Sequence, residues 1–282
     1  MSFDGAEIST QDSSDIRLYE FILGGAIWRY CTGEREVKVG NIIYPPAPIS
    51  DAGLKQKGTA VTDDFIVTMP TIYPIPQLFR GTVPSQTIRL VVRQTQIETP
   101  DDAPVMWLGY VSSVKIKDEV ISDVLCNSQT AFLRRKGLRT RYTRECPHAL
   151  YDSECSVDKT LWAEPVTVGA LTGVSFNYDY VNAPLSAARN GRFINGFIEW
   201  EPTFKGNPVG YTERRGILAH DEATRAILLL GQTDGLSPGL VVTLYPGCQR
   251  NPGNCQLFHN IPNYGGYAFM PGVSPFDGNP VF

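Results

Sequence analysis

The stretch Thr87-Ile88-Arg89-Leu90-Val91-Val92-Arg93-Gln94-Thr95 decides the fold class. Arg89, Val91 and Arg93 share one side of an extended chain and Ile88, Leu90 and Val92 the other, the two-residue period of a half-buried strand. Aliphatic and β-branched residues fill it, and Gly, Pro and Asp bound it on both sides. The same near-alternation recurs at Ile16 to Tyr30, Phe65 to Thr71 and Val105 to Ile116. Residues 1–125 therefore read as an antiparallel β domain, interrupted by the loop Tyr44-Pro45-Pro46-Ala47-Pro48.

Moving outward, the pattern weakens around Val124 to Arg139, where a short helix or a connecting arm is expected. Acids stop there, and Arg134, Arg135, Lys136, Arg139, Arg141 and Arg144 crowd together. Residues 126–164 are read as this arm. A second β domain, 165–246, follows from Val166 to Phe176, Arg192 to Trp200, Arg215 to His220, Arg225 to Leu230 and Leu240 to Tyr245, spaced as in a small barrel or sandwich. After Pro246 the composition turns to Asn, Gly, Pro and aromatics without apolar periodicity, so 247–282 cannot build an ordinary core and something else must hold it. The fold expected is mainly β: two antiparallel barrel or sandwich domains and an irregular, cysteine-stapled, metal-binding C-terminal segment.

Composition agrees. With Gly 26 and Pro 21 among 282 residues, a long helical bundle is excluded. Lys+Arg 25 against Asp+Glu 29 gives a net charge of -4, which argues against a dedicated nucleic-acid binder. The apolar runs, such as Phe21 to Trp28, fall far short of the roughly 18 residues that suggest a membrane span. Asp4 and Glu7 precede the first basic residue, Arg17, and no apolar core precedes a small-residue cleavage site. A secretory signal is not expected, and the protein should be soluble where it is made.

Of six cysteines, Cys31 and Cys126 stand alone, while Cys146 and Cys155, and Cys248 and Cys255, form two pairs in turn-rich segments. In a long chain without a secretory signal, such pairs point to metal ligation ahead of disulfides. Four thiolates from two loops suit a tetrahedral zinc or a four-cysteine iron–sulfur cluster. Zinc loops usually leave two to four residues between paired ligands, so these wide gaps favour the cluster. The basic run before Cys146 would offset the cluster's negative charge, or it is simply a solvated face. Disulfides Cys146–Cys155 and Cys248–Cys255, or free buried thiols, stay open as alternatives.

The string Gly247-Cys248, Cys255, Phe258, Asn260, Asn263-Tyr264-Gly265-Gly266 and Pro271-Gly272 resembles the ending of a phage tail-tip family, the baseplate hub proteins of lambda-like phages and gene transfer agents. Cys146-Pro147-His148-Ala149-Leu150-Tyr151 with Cys155 is similar to that family's upstream cysteine motif, and Gly191 to Trp200 fits its middle. The resemblance implies a non-enzymatic structural virion protein, assembled in the bacterial host cytoplasm and placed at the phage tail tip as a homotrimer. It implies a [4Fe-4S] cluster, with zinc as the alternative, on Cys146, Cys155, Cys248 and Cys255, and leaves Cys31 and Cys126 as bystanders. Its implied partners are the distal tail protein ring, the central tip or fibre protein and a tail-associated peptidase.

Rival signals are weaker. Gly235-Leu236-Ser237-Pro238-Gly239 matches a serine-hydrolase elbow, but Pro238 has no N–H to donate to an oxyanion, so a turn is expected. Cys126 or Cys146 with His148 and Asp152 could mimic a thiol nucleophile, although such groups meet in space rather than in sequence. His148 fits better as a hydrogen-bonding neighbour of the metal loop, and His259 is an alternative ligand. Glu199 and Glu201 flank Trp200 as a glycosidase pair would, but acids on an exposed strand edge also discourage aggregation. A host-directed hydrolase is the alternative from another functional class.

Overall fold

The computed structural model describes residues 15–53, 65–96, 101–130, 137, 142–182, 191–204 and 207–271. In chain order the strands are β1 (Asp15–Leu23), β2 (Ala26–Cys31), β3 (Val37–Val39), β4 (Ile42–Tyr44), β5 (Ser50–Asp51), β6 (Phe65–Pro70), β7 (Arg89–Gln96), β8 (Val105–Ile116) and β9 (Ile121–Ser128). They continue with β10 (Glu164–Thr172), β11 (Ser175–Tyr180), β12 (Phe197–Trp200), β13 (Thr203–Phe204), β14 (Asn207–Pro208), β15 (Glu213–Asp221), β16 (Ala226–Leu229) and β17 (Val241–Tyr245). Two short helices, α1 (Pro74–Leu78) and α2 (Pro252–Leu257), each begin on a proline, whose missing N–H costs nothing in the first turn. The chain forms two compact units, 1–135 with 201–213 and 136–200 with 214–282.

Unit one is a seven-stranded antiparallel sheet in the order β2-β1-β7-β8-β9-β6-β5, with β3 and β4 as a separate hairpin. Alternation along β1 sends Tyr19, Phe21 and Leu23 into the main core with Leu90, Val92, Val67 and Met69. Ile16 and Leu18 face the other way, onto Cys31 and Tyr44 beneath the β3–β4 hairpin. Asp51, on the edge strand β5, accepts hydrogen bonds from Arg17 and Tyr19 of β1. Those strands lie far apart in the sheet order, so the sheet must curl until its ends approach. Asp51 is held below the ordinary carboxylate range: burial would raise it, but Arg17 and Tyr19 outweigh burial.

Of the stretch from Val124 to Arg139 expected to be a short helix or connecting arm, Val124 to Ser128 end strand β9, which pairs with both β6 and β8, and 131–136 and 138–139 lie outside the described residues. Ser122, Val124 and Cys126 are each fully buried, and this alternation rather than the basic residues downstream decides the local structure. Of the basic run, residues 131–136 and 138–141 lie outside the described residues, leaving Arg144 within them.

Unit two contains a closed six-stranded barrel, β10-β11-β16-β15-β12-β17, which resolves the expectation of a barrel or sandwich. β10 closes it by pairing with β11 on one side and β17 on the other. Register shifts between Val168 and Leu171 and between Ile217 and Ala219 mark bulges, which supply the bending that closure needs. Val166, Phe176, Tyr178, Phe193, Ile198, Trp200, Ile227 and Leu244 fill the interior. Glu164 and Arg192 form a buried ion pair, each side chain only 2% exposed. His220 is also enclosed, its Nε2 2.9 Å from the Tyr178 hydroxyl and 3.2 Å from Glu222. Burial lowers its pKa below the usual histidine range despite Glu222 and Asp221.

Candidate metal centre

Two loops of unit two carry the paired cysteines, and local hydrogen bonds shape each. In the first, the Asp152 carboxylate accepts the backbone N–H of Ala149 at 2.8 Å and of Cys155 at 2.6 Å, closing the turn that presents Cys155. Tyr151 sits at a φ of 70° within that turn. In the second, Asn251 caps α2 by accepting the Asn254 N–H at 2.7 Å, with Pro252 in the first turn, and the helix carries Cys255. Gly247, just before Cys248, lies so close to the Phe193–Gly196 turn that a Cβ there would stand 1.9 Å from the Ile194 carbonyl oxygen.

The loops are sewn together mostly by backbone groups. Cys146 N–H donates to Arg250 O at 2.9 Å, and Tyr267 N–H to Thr143 O at 2.9 Å. The Tyr264 hydroxyl donates to Arg144 O at 2.6 Å, and Arg144 Nε to Met270 O at 2.6 Å. A Cβ on Gly266 would meet Arg144 O at 2.6 Å, so this close approach requires glycine. An aromatic joint adds burial: Phe258, 7% exposed, lies 4.7 Å from Trp162 and 6.5 Å from Tyr151 between ring centroids. The segment after Pro246 is thus tied mainly by hydrogen bonds and by the aromatic contacts of Phe258 and of Tyr267, whose ring lies 5.1 Å from Tyr142.

Cys146, Cys155, Cys248 and Cys255 all line one cavity of about 20 Å³, with His148, Asn260 and Tyr264 in its wall. Cys146, Cys155 and Cys255 are buried and Cys248 is partly exposed. The Cys248 and Cys255 thiols are pushed above their usual range, first by burial and then by the neighbouring sulfurs. Arg250 N–H points at Cys248 Sγ, 3.3 Å away. All six cysteines are free, with no disulfide.

The donor set fits a sulfur-loving metal, and the four predicted residues are brought together. Their spacing falls short of a finished site. Among the described residues, no group of three or more His, Cys, Asp or Glu side chains is arranged to hold a metal ion. A cavity of about 20 Å³ accommodates roughly one water-sized body, so a four-iron cluster requires the loops to part.

The other sequence signals separate cleanly. His148 borders the cavity, its ring beneath Gly265, whereas His259 is exposed and absent from the wall. Cys31 and Cys126 are fully buried in unit one. Ser237 is exposed in a turn, and its carbonyl accepts the Leu240 N–H at 3.1 Å. Glu199 is bound by Lys159 at 2.6 Å and by Arg214 Nε at 2.9 Å. Burial would raise its pKa, but those two cations hold it below the ordinary value, the opposite of a general acid. Glu201 belongs to unit one and accepts the Gly210 N–H at 3.1 Å. Sequence reasoning assigned no role to Asp152 as a turn former or to Asn260; the Asn-Pro start of α2 was a readable local signal.

Residues 191–273 match the family model described as "Phage conserved hypothetical protein BR0599". That span includes Cys248 and Cys255, while Cys146 and Cys155 lie upstream of it. An uncharacterized protein of Xylella fastidiosa (strain 9a5c) is 22% identical over 166 residues, covering 54% of this chain and 34% of the relative. The chain therefore spans about a third of that relative's length. In fold, the chain is similar to a chain of the structure titled "Virion of native gene transfer agent (GTA) particle", with a TM-score of 0.78 and 16% identity, covering 100% of this chain and 99% of that one. The resemblance to phage structural proteins expected from the C-terminal motif is thereby met by a family match in the last third of the chain and by a shared fold throughout.

Proposed function

We propose that this protein is a non-enzymatic structural component of a phage-like virion, the hub at the tail tip. The observation that carries the proposal is the full-length fold likeness to a gene transfer agent virion chain, joined by the phage family match over residues 191–273. In this reading it assembles as a trimer between the distal tail ring and the central tip or fibre protein, with a tail-associated peptidase nearby. The ion-paired Glu199 and the turn around Ser237 count against the hydrolase alternative.

In the same reading, Cys146, Cys155, Cys248 and Cys255 hold a [4Fe-4S] cluster as a structural staple. The support is their common cavity and the weak apolar anchorage of the segment they border, in which Leu257, Tyr267, Phe269 and Met270 are exposed. When bound, the group would contribute folding energy by fastening two loops distant in sequence. A four-cysteine zinc is the second reading, favoured by the small cavity.

The experiment is iron, zinc and acid-labile sulfide analysis of anaerobically purified protein, repeated on Cys248→Ser, with tip assembly scored in particles. Equimolar iron and sulfide, lost in the variant together with assembly, is the expected result. Zinc alone selects the second reading. Neither metal, with the variant assembling normally, overturns the staple.

A further inference from the structure

Three of the four polar atoms of Asn260 reach the two cysteine loops. It is 8% exposed. Its Nδ2 donates to the Cys155 carbonyl oxygen and lies 3.5 Å from Cys155 Sγ. Its Oδ1 accepts from Asn263 Nδ2 at 2.8 Å. Its backbone oxygen accepts from Cys255 Sγ at 3.1 Å, and its backbone N–H donates to Cys255 O at 3.2 Å. The carbonyl at Cys155 can only accept, so the amide orientation is fixed: a flipped Asn260 would set Oδ1 against another oxygen.

We propose that Asn260 is a positioning residue of the metal centre: its side-chain N–H holds the Cys155 loop and reaches the Cys155 sulfur, while its backbone N–H holds Cys255 through the Cys255 carbonyl oxygen. The inference rests on the reading that the four cysteines hold a metal. A hydrogen bond donated to a ligating sulfur fixes its orientation, which favours retention of the metal, and lowers the energy of its lone pairs, which alters the electronic energies of the site. Tyr264, by contrast, uses its hydroxyl on the backbone of Arg144 and Arg250 and is not assigned this role. Asn260 joins a loop near residue 155 to one near 260, so it couples docking of the C-terminal segment to the quality of the site.

The test is Asn260→Asp, nearly isosteric but acceptor-only when ionised, compared with wild type as full-length protein. Metal retention is measured against a competing chelator, and the sulfur-to-metal charge-transfer band is recorded on the iron–sulfur form, or on cobalt-substituted protein if zinc is native. The expected results are an affinity loss of about 10- to 100-fold and a band shifted to lower energy, since the sulfur lone pairs lose a donor. The band shift is a readout that a purely structural role would not move. If Asn260→Asp does not fold, Asn263→Ala carries the test: it leaves Asn260 in place and frees its amide, so a smaller change of the same sign is expected. Wild-type protein that binds no metal overturns the cysteine reading and this inference together. Wild-type protein that binds metal, with variants of unchanged affinity and band energy, overturns the role of Asn260 alone.

Discussion

Glu164→Gln should be among the most damaging near-isosteric changes in unit two. The Glu164 and Arg192 side chains are each 2% exposed, so the substitution leaves a guanidinium buried without its counter-charge. Arg192 Nη1 already lacks a hydrogen-bond partner among the described residues, so no second acceptor stands ready. The Phe193 ring, 5.2 Å from the guanidinium, is present in both proteins and does not compensate. Breaking one side of such a pair costs about 3–5 kcal/mol, a large part of the ~5–15 kcal/mol by which domains are stable. At roughly 4 °C per kcal/mol for a unit of this size, the melting temperature should fall by about 12–20 °C. Urea and thermal unfolding, followed by fluorescence and calorimetry, measure this. The double variant Glu164→Leu with Arg192→Met removes both charges and should recover most of the loss, because the desolvation cost disappears with the pair. Glu164→Gln within about 1 kcal/mol of wild type would refute the reasoning, since the pair would then not be desolvated as described. The effect should reach the cysteine loop, because Gly247 N–H donates to Arg192 O at 3.3 Å.

Gly247→Ala should destabilise unit two by at least the ~1–3 kcal/mol of an overpacked core and reduce metal uptake, because the new methyl meets three backbone atoms, Ile194 O at 1.9 Å, Gly196 N at 2.4 Å and Asn195 C at 2.5 Å; a urea midpoint equal to wild type would contradict this. Phe258→Ala, which empties the joint against Trp162, should cost about 3–5 kcal/mol and admit protease after Pro246, as read by limited proteolysis. His220 has a folded pKa below its unfolded one, so between those values the unfolded chain binds the extra proton: stability should fall as pH drops below about 6.5, and His220→Gln should remove that slope from the pH series. Cys31→Ala and Cys126→Ala, both in unit one, should leave metal content unchanged.

Alternation made most strands legible, because it is set by which side chains meet water and which meet the core. What it could not reveal was how they join. β10 pairs with β17 to close the barrel, while the bulges near Val168 and Ile217 lie in the β10–β11 and β15–β16 pairs, and a bulge is a backbone adjustment with no residue type of its own. β9 was obscured because Ser122 and Cys126 are less emphatic than the arginines that follow, although burial of those two small side chains sets the strand's register. The return of residues 201–213 to unit one, which interrupts the second β domain, has no compositional mark either.

The cysteine site divides along the same line. Thiol chemistry belongs to residue type, so Cys146, Cys155, Cys248 and Cys255 could be singled out before any geometry was known. The distances among their sulfurs are set by Asp152 closing one turn, by Asn251 and Pro252 starting one helix, and by Asn260 bridging both loops. Asp, Asn and Pro are ordinary loop residues, and their role follows from the position they hold rather than from their kind. The centre therefore depends on polar groups that tolerate few exchanges, in a segment with little apolar surface to absorb an error. A substitution at Asp152 or Asn260 should consequently disturb metal retention more than its effect on the barrel's unfolding would suggest, since the barrel core of Val166, Phe176 and Leu244 contains neither residue.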